Sequence, residues 1–307
     1  MCETCNIITN VRQFDPTRTI TLRNQFSMDM RRRFNEIARL ITVAIVDQNG
    51  FGLGPIVFQV TPPGNLAFNF PLDADKLQAF MDWFTLQVER GILEARELPQ
   101  FGAVGQTHWT DKYIADAYKK GVTRARYELQ RAGFDVPSLE ASGGIDAVMS
   151  SAIHINKLSL LYTRVFGDLK GITAQMDAQI SRVLAQGLAD GDGPRVLARK
   201  LVAVVRDSGA GDLGITDTLG RFIPGSRRAQ ILARTEIIRA HHLGTMQEYE
   251  SWGVLGFRVK AEFQTAGDDR VCAECEALEG NVYNLDEAWN IIPVHPQCRC
   301  IMLPIKI

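Results

Sequence analysis

The chain has 307 residues, 46% of them hydrophobic and 22% charged, and its 34 basic and 35 acidic side chains leave a formal charge of -1. That composition excludes large-scale disorder, and the near-zero charge excludes a global field drawing the molecule to nucleic acid or to an anionic membrane. The length favours two domains over one, and the N-terminal "MCETCNIITNVRQFDP" has neither a basic leader nor an apolar core. No stretch approaches the roughly 18 apolar residues of a membrane span, so the reading is a soluble protein made in a cytoplasm, with no membrane partner.

From Thr17 to Asp47, Phe26, Met30, Phe34, Ile37, Ile41 and Ala44 recur at intervals of three and four, which predicts an amphipathic helix started by Asp15-Pro16. Its other faces carry Arg23, Arg31, Arg32, Arg33 and Arg39. The Gly- and Pro-rich stretch near 50–72 predicts a hairpin-like excursion, with β-prone runs at Ile56 to Val60 and Leu66 to Phe70. Helices are expected over Asp73 to Ala95, Thr107 to Ala132, and Gly144 to Phe166 closed by Gly167, with a loop between Glu97 and Gln106. Gly91 and Gly121 weaken two of them. A helical pair follows over Thr173 to Leu188 and Pro194 to Arg206, and then a Gly-rich linker over 207–225.

The last stretch is α+β. A helix capped by Ser226 runs to about Trp252, with Ala229, Leu232, Ala233, Ala240 and Leu243 on one stripe and Glu236 in its middle. A carboxylate on such a stripe calls for a basic or backbone partner, so Glu236 is expected in a structural ion pair. The opposite face carries Arg227, Arg234, His241 and His242. "GFRVKAEFQT" then alternates strictly, with Phe257, Val259, Ala261 and Phe263 on one side, and predicts a half-buried strand; "NVYNL" and "CRCIMLPI" read as two more. The fold class is therefore α+β, divided into a mainly helical region (1–206), a linker (207–225) and a small C-terminal domain (226–307). That domain has a short antiparallel sheet and a Cys/His-stapled turn.

All six cysteines lie in the two tails, at 2, 5, 272, 275, 298 and 300. Cys272-x-x-Cys275, nineteen residues, then His295-Pro-Gln-Cys298-Arg-Cys300 offers five soft or borderline donors for at most four places around a tetrahedral ion. Structural zinc suits that set better than calcium or magnesium, while a disulfide, free thiols and redox use stay open. If "CRC" is in a strand, Cys298 and Cys300 share a face. A zinc-deaminase reading fails because Gln297 stands where a Glu proton shuttle is needed. Neither Cys2-x-x-Cys5 nor Cys272-x-x-Cys275 has the βαβ context of a thioredoxin-like site; Cys2 and Cys5 read as an unstructured tail or a minor metal site. No Gly-x-Ser-x-Gly elbow and no Walker or Rossmann glycine pattern occurs, and His108 and His154, in helical stretches, read as structural. No residue is assigned as catalytic. Arg31, Arg32, Arg33, Arg227 and Arg234 are candidate DNA-phosphate contacts, although a solvated helix face is the favoured explanation of both runs.

Ala233-Arg234-Thr235-Glu236, Asp268 or Asp269 with Arg270, Cys272, Cys275, Leu278, Gly280 and His295-Pro296-x-Cys298-Arg299-Cys300 occur in that order. Together they resemble the Mu F-like phage head morphogenesis domain over roughly 226–304, about a quarter of the chain. One departure is Phe263, on the strand where many members carry Trp. The resemblance implies a minor head protein of a tailed phage, found in the virion head near the portal and in the host cytoplasm during assembly. It also implies portal protein or major capsid protein as partner, with double-stranded DNA as a further one, and a lineage-specific docking role for the first 225 residues. Two alternatives stand beside it: an ADP-ribosyltransferase-like or toxin-associated enzyme using Arg234 and Glu236, and a DNA-binding module.

Overall fold

The computed structural model describes residues 15–53, 68–100, 103–206 and 225–306. The paired thiols Cys2 and Cys5, most of the excursion expected near 50–72, and the expected linker apart from Gly225 lie outside them. Helix α1 spans Ile20–Thr42 and ends in a π turn, Val43–Asp47; α2 spans Asp73–Val88 and ends in another, Glu89–Leu93. Strands β1 (Ala95–Gln100) and β2 (Ala103–His108) pair with each other. After them come α3 (Asp111–Arg131), α4 (Ile145–Met149), α5 (Ala152–Ala189), α6 (Pro194–Arg206) and α7 (Gly225–Val254). The chain closes with β3 (Val259–Gln264), α8 (Ala273–Glu276), β4 (Val282–Tyr283), α9 (Leu285–Ala288) and β5 (Ile301–Lys306). Among the described residues no helix is long and apolar enough to cross a membrane.

The helical spacing read from the sequence is obeyed where a single face is buried. Phe26, Met30, Phe34, Ile37, Ile41 and Ala44 of α1 and its π turn are all buried. Asp15 organises the entry to α1, since its carboxylate accepts from the Thr17 and Thr19 backbone N–H groups and pairs with Arg23 at 2.6 Å.

Three expectations need correction. The segment expected to be a loop before α3 is the β1–β2 pair, and His108 ends β2 instead of lying in a helix. Pro99, Gly102 and Gly105 read as loop signals, and the segment has no strict apolar alternation to set against them. The helix expected over Gly144 to Phe166 and the one over Thr173 to Leu188 are instead the short α4 and the continuous 38-residue α5, which runs straight through Gly167 and Gly171. Neither glycine has a left-handed backbone, and a Cβ added at either would meet nothing within 4 Å, so each costs the helix only about 1 kcal/mol of propensity. Finally, Cys298 and Cys300 precede β5 and are not part of a strand.

Packing groups the chain into two units, and each draws on separated stretches of sequence. One comprises, among the described residues, 27–53, 68–96, 166–206 and 225–230. Its aromatic cluster brings Phe51, Phe68, Phe80, Trp83 and Phe84 together, with ring centroids of successive pairs 5.2 to 6.0 Å apart. The apolar face of α6, made of Leu197, Leu201, Val204 and Val205, is buried, and α6 packs against the π turn after α1. The first turn of α7 belongs here as well, with Arg228 donating to Gln175.

The other unit comprises, among the described residues, 15–26, 97–100, 103–165 and 231–306. Its sheet has the order β4-β3-β5 and is antiparallel throughout; β3 pairs with β5 from Val259↔Lys306 to Gln264↔Ile301. Val259, Ala261 and Phe263 alternate inward as expected, against Ala125 and Leu129 of α3, Ile238, Met246 and Tyr249 of α7, and Cys275, Cys298 and Cys300. The Tyr249 hydroxyl donates to the Met302 carbonyl at 3.2 Å, which ties α7 to β5.

Helix α7 is buried on more than the single stripe read from the sequence. Glu236 is only 2% exposed, and His241 and His242, on the face opposite the apolar stripe, are buried too. Burial holds both imidazoles neutral, with His241 pushed down to about 3 and His242 to about 4. Unfolded imidazoles take up protons near 6.5 while these two do not, so below about pH 6.5 the unfolded chain binds more protons, and the stability they contribute falls with pH. Asp111 and Asp177, each raised to about 6 chiefly by burial, act in the opposite sense, because there the folded state holds the extra proton. A substitution separates the two effects. His242 Nε2 lies 3.1 and 3.2 Å from the carbonyls of Ala288 and Trp289, contacts that a Gln amide reproduces. Relative to wild type, His242→Gln is expected to gain about 2 kcal/mol in stability on going from pH 7 to pH 5, read from urea midpoints at the two pH values. A stability difference that does not change with pH would show that His242 is not held neutral.

Candidate metal centre

The β3–β5 register places the cysteines. The ladder ends at Gln264↔Ile301, so the loop leaving β3 and the loop entering β5 emerge side by side. The first carries Cys272, which caps α8 and whose sulfur accepts from the Cys275 N–H at 3.4 Å. That half-turn brings both sulfurs of the C-x-x-C pair to one side. Gly280, with φ of 75°, then turns the chain back so that its N–H donates to the Phe263 carbonyl and β4 can form beside β3.

The second loop is a tight turn in which the Cys298 N–H donates to the His295 carbonyl at 3.1 Å. Gln297 at its corner has φ of 66°, an uncommon conformation for a residue with a side chain. Helix α7 clasps it there: the Gln297 N–H donates to Thr235 Oγ1 at 3.1 Å, and Arg234 Nη1 donates to Gln297 Oε1 at 3.3 Å. The Ala-Arg-Thr-Glu segment is thus joined physically to the His-Pro-Gln-Cys segment. Sequence reasoning missed this connection, because its only signal was the co-occurrence of two motifs sixty residues apart.

All five sequence-derived donors converge. Cys272, Cys275 and His295 form one group whose ligand atoms lie within 4.8 Å of one another, and Cys275, Cys298 and Cys300 form a second. Cys275 is common to both, with His295 Nε2 at 3.2 Å and Cys298 Sγ at 4.0 Å. Two thiolates bound to one tetrahedral zinc stand about 3.8 Å apart, so these separations fit a shared ion. His295 has Nδ1 2.8 Å from the Pro296 carbonyl, the contact that fixes a ligating imidazole with Nε2 free to bind metal. The four thiols are free.

The thiols also shape one another's protonation. Cys298 is pulled down to about 5, first by a hydrogen bond from the Cys300 thiol, while Cys300 is pushed up by that same bond and by burial. Burial, with the negative Cys298 next to it, pushes Cys275 up to about 12. In the metal-free cluster Cys298 therefore gives up its proton more readily than Cys275 or Cys300. A cation must displace protons to bind, which makes its affinity pH-dependent.

Charged groups surround the cluster. Asp268, in the loop leaving β3, receives two bonds from Arg299 at 2.6 Å each and one from Arg270 at 2.9 Å, which hold its carboxyl well below the usual carboxylate range. Asp268 also lines an open cleft of about 1520 Å³ whose walls include Arg124, Glu128, Glu262 and Glu276.

The remaining sequence-derived residues are placed as follows. Glu236 has Oε1 3.1 Å from Arg239 Nε and Oε2 3.4 Å from Arg164 Nε, and the residues lining the cleft do not include it. Arg31 and Arg227 are exposed, Arg32 pairs with Asp29 at 2.6 Å, and Arg33 donates to the Gly91 carbonyl at 2.8 Å. Arg234 is engaged with Gln297 as described.

Residues 178–303 match the family model described as Phage Mu protein F like protein. That span takes in the end of α5, all of α6 and α7, β3, β4 and the first half of β5, with the cysteine cluster. Neither a curated protein nor a solved structure matches the chain.

Proposed function

Because the chain carries a Mu F-like domain over residues 178–303, and so a domain of phage head morphogenesis, we propose that it is a minor head protein of a tailed bacteriophage. In this reading it works in procapsid assembly with the portal protein as partner, and it resides in the virion head near the portal. The observation that carries the proposal is the family match, which includes the cysteine cluster and the helix that clasps it.

Within that role the cluster is a structural staple for zinc. Five donors lie in reach of the four places around a tetrahedral ion, so protein ligands alone can fill its shell, and a filled shell is what separates structural zinc from catalytic zinc, which keeps an open position. When bound, the ion supplies a cross-link between the loop leaving β3 and the loop entering β5, and no bond-making chemistry.

Glu236 favours an assembly component over the transferase-like alternative. A catalytic carboxylate of that kind would face an open pocket, whereas Glu236 is buried against Arg239 and Arg164.

Co-expression with the portal protein of the same phage, followed by affinity purification and gel filtration, tests the proposal. Co-elution is expected, together with recovery of the chain in purified procapsids. Failure to co-elute, with absence from procapsids, overturns it.

A further inference from the structure

We infer that the Asp268–Arg299 pair is a positioning device for the metal centre: a bidentate clamp that holds the two cysteine-bearing loops at ligand distance before any ion arrives. The inference rests on the metal reading above and adds two residues to it that ligate nothing.

Placement is the first argument. Beyond the Gln264↔Ile301 end of the ladder the two chains are no longer joined by sheet hydrogen bonds. Asp268 lies four residues before Cys272, and Arg299 lies between Cys298 and Cys300. Their contact is therefore a direct side-chain link between the two ligand loops on the far side of the ladder's end.

Geometry is the second. Both carboxylate oxygens are met by guanidinium nitrogens at 2.6 Å, the two-pronged arrangement that fixes orientation as well as distance. The two side chains are 21% and 17% exposed, far less than Arg270 at 71%, whose side chain bonds the same carboxylate from outside. Asp268 is held in turn by its own loop: the Arg270 N–H donates to Oδ1 at 3.1 Å, and the Thr265 N–H is fixed by Glu279 at 2.7 Å. A rigid loop on one side and a planar fork on the other leave little freedom between Cys272 and Cys298.

Magnitude is the third. Partners outside the ligand set typically change metal affinity by about 10–100-fold when removed.

Cobalt(II) titration of the full chain tests this, read from thiolate-to-cobalt charge-transfer absorption and from competition with a chromophoric chelator. Asp268→Asn is expected to weaken cobalt and zinc binding about 10–100-fold and to alter the charge-transfer band, while far-UV circular dichroism of the metal-free chain stays as in wild type. Arg270→Gln, which removes only the outer contact, is expected to bind as wild type does. The swapped pair Asp268→Arg with Arg299→Asp is expected to recover affinity relative to either single change, which loss of a merely stabilising contact would not predict. Should Asp268→Asn fail to fold, Arg299→Lys keeps the charge, removes the fork, and is expected to show the same loss of affinity. Wild-type affinity in the variant that folds overturns the clamp and leaves the metal centre standing. A wild-type chain that develops no charge-transfer band with cobalt overturns the metal centre itself, and the clamp with it.

Discussion

Gly121→Ala and Gly244→Ala should each destabilise the protein by about 3 kcal/mol or more, although alanine is the better helix former at both positions. The two glycines lie where α3 and α7 cross. A methyl group at Gly121 would overlap the His241 carbonyl oxygen and come 2.9 Å from its carbonyl carbon; one at Gly244 would overlap the Tyr118 carbonyl oxygen and come 3.2 Å from its carbon. Backbone cannot swing aside as a side chain does, so the helices would have to separate and the core around Ala125, Ile238 and Met246 would lose contact. Thr245 Oγ1 bridges the crossing to the His241 and Gly121 carbonyls at 3.0 and 3.3 Å, and separation would break that bridge as well. Gly167→Ala supplies the control: its added methyl meets nothing within 4 Å, so the change is expected to stabilise by about 1 kcal/mol. Denaturant midpoints of the three variants decide the matter, and a neutral or stabilising Gly121→Ala would show that the helices do not meet backbone to backbone.

The zinc staple proposed above predicts the second large effect. Stripping zinc from the full chain with a strong chelator is expected to cost about 4 kcal/mol, the linkage stabilisation at a free-ion level a thousandfold above the dissociation constant, and to lower the melting temperature by about 10 °C. Geometry ranks the ligands. Cys275 belongs to both donor groups, so its loss breaks both, whereas losing any other single donor breaks one group and leaves the other whole. Cys275→Ser is accordingly expected to purify without zinc, and Cys300→Ser to retain it at reduced affinity, as measured by elemental analysis and thiol counting. Stoichiometric zinc in Cys275→Ser would overturn this assignment. Affinity should also fall on acidification, since the Cys275 proton must leave before the ion can bind.

Helices with one wet face could be located from the sequence nearly to the residue. The spacing of α1 and α6 marks a single buried face, and strict alternation marks β3, because in each case one side meets water and the contrast is visible. What could not be read was set by partners distant in sequence. His241 and His242 look like polar-face residues until α3 is laid against α7 at a glycine crossing, and a lone glycine in a helix pattern signals weakness as readily as close approach. The gathering of the cysteines with His295 was legible because both runs place their donors two or three residues apart, close enough for one tight turn to bring them together. The Asp268–Arg299 contact was not, although both charges stand beside the cysteines, because it depends on a ladder register that brings residues 31 positions apart together. Glycine was misread as a stop in α5 for a related reason: without a left-handed turn after it, it only weakens a helix and does not end it.

The interleaving of the chain has a further consequence for how the molecule can be cut, copied and diversified. The core that backs the cysteine cluster is closed by Ala125, Leu129, Phe134 and Val136, which lie upstream of the span that matches the family model. A fragment trimmed to 178–303 would emerge with one wall of its interior missing and its apolar sheet face wet. The recognisable module is therefore not the autonomous one. Evolution can exchange surface residues of α3 freely, but its inward face must change in concert with a sheet more than a hundred residues downstream. A chain leaving the ribosome must likewise hold that wall in waiting until the last strand arrives.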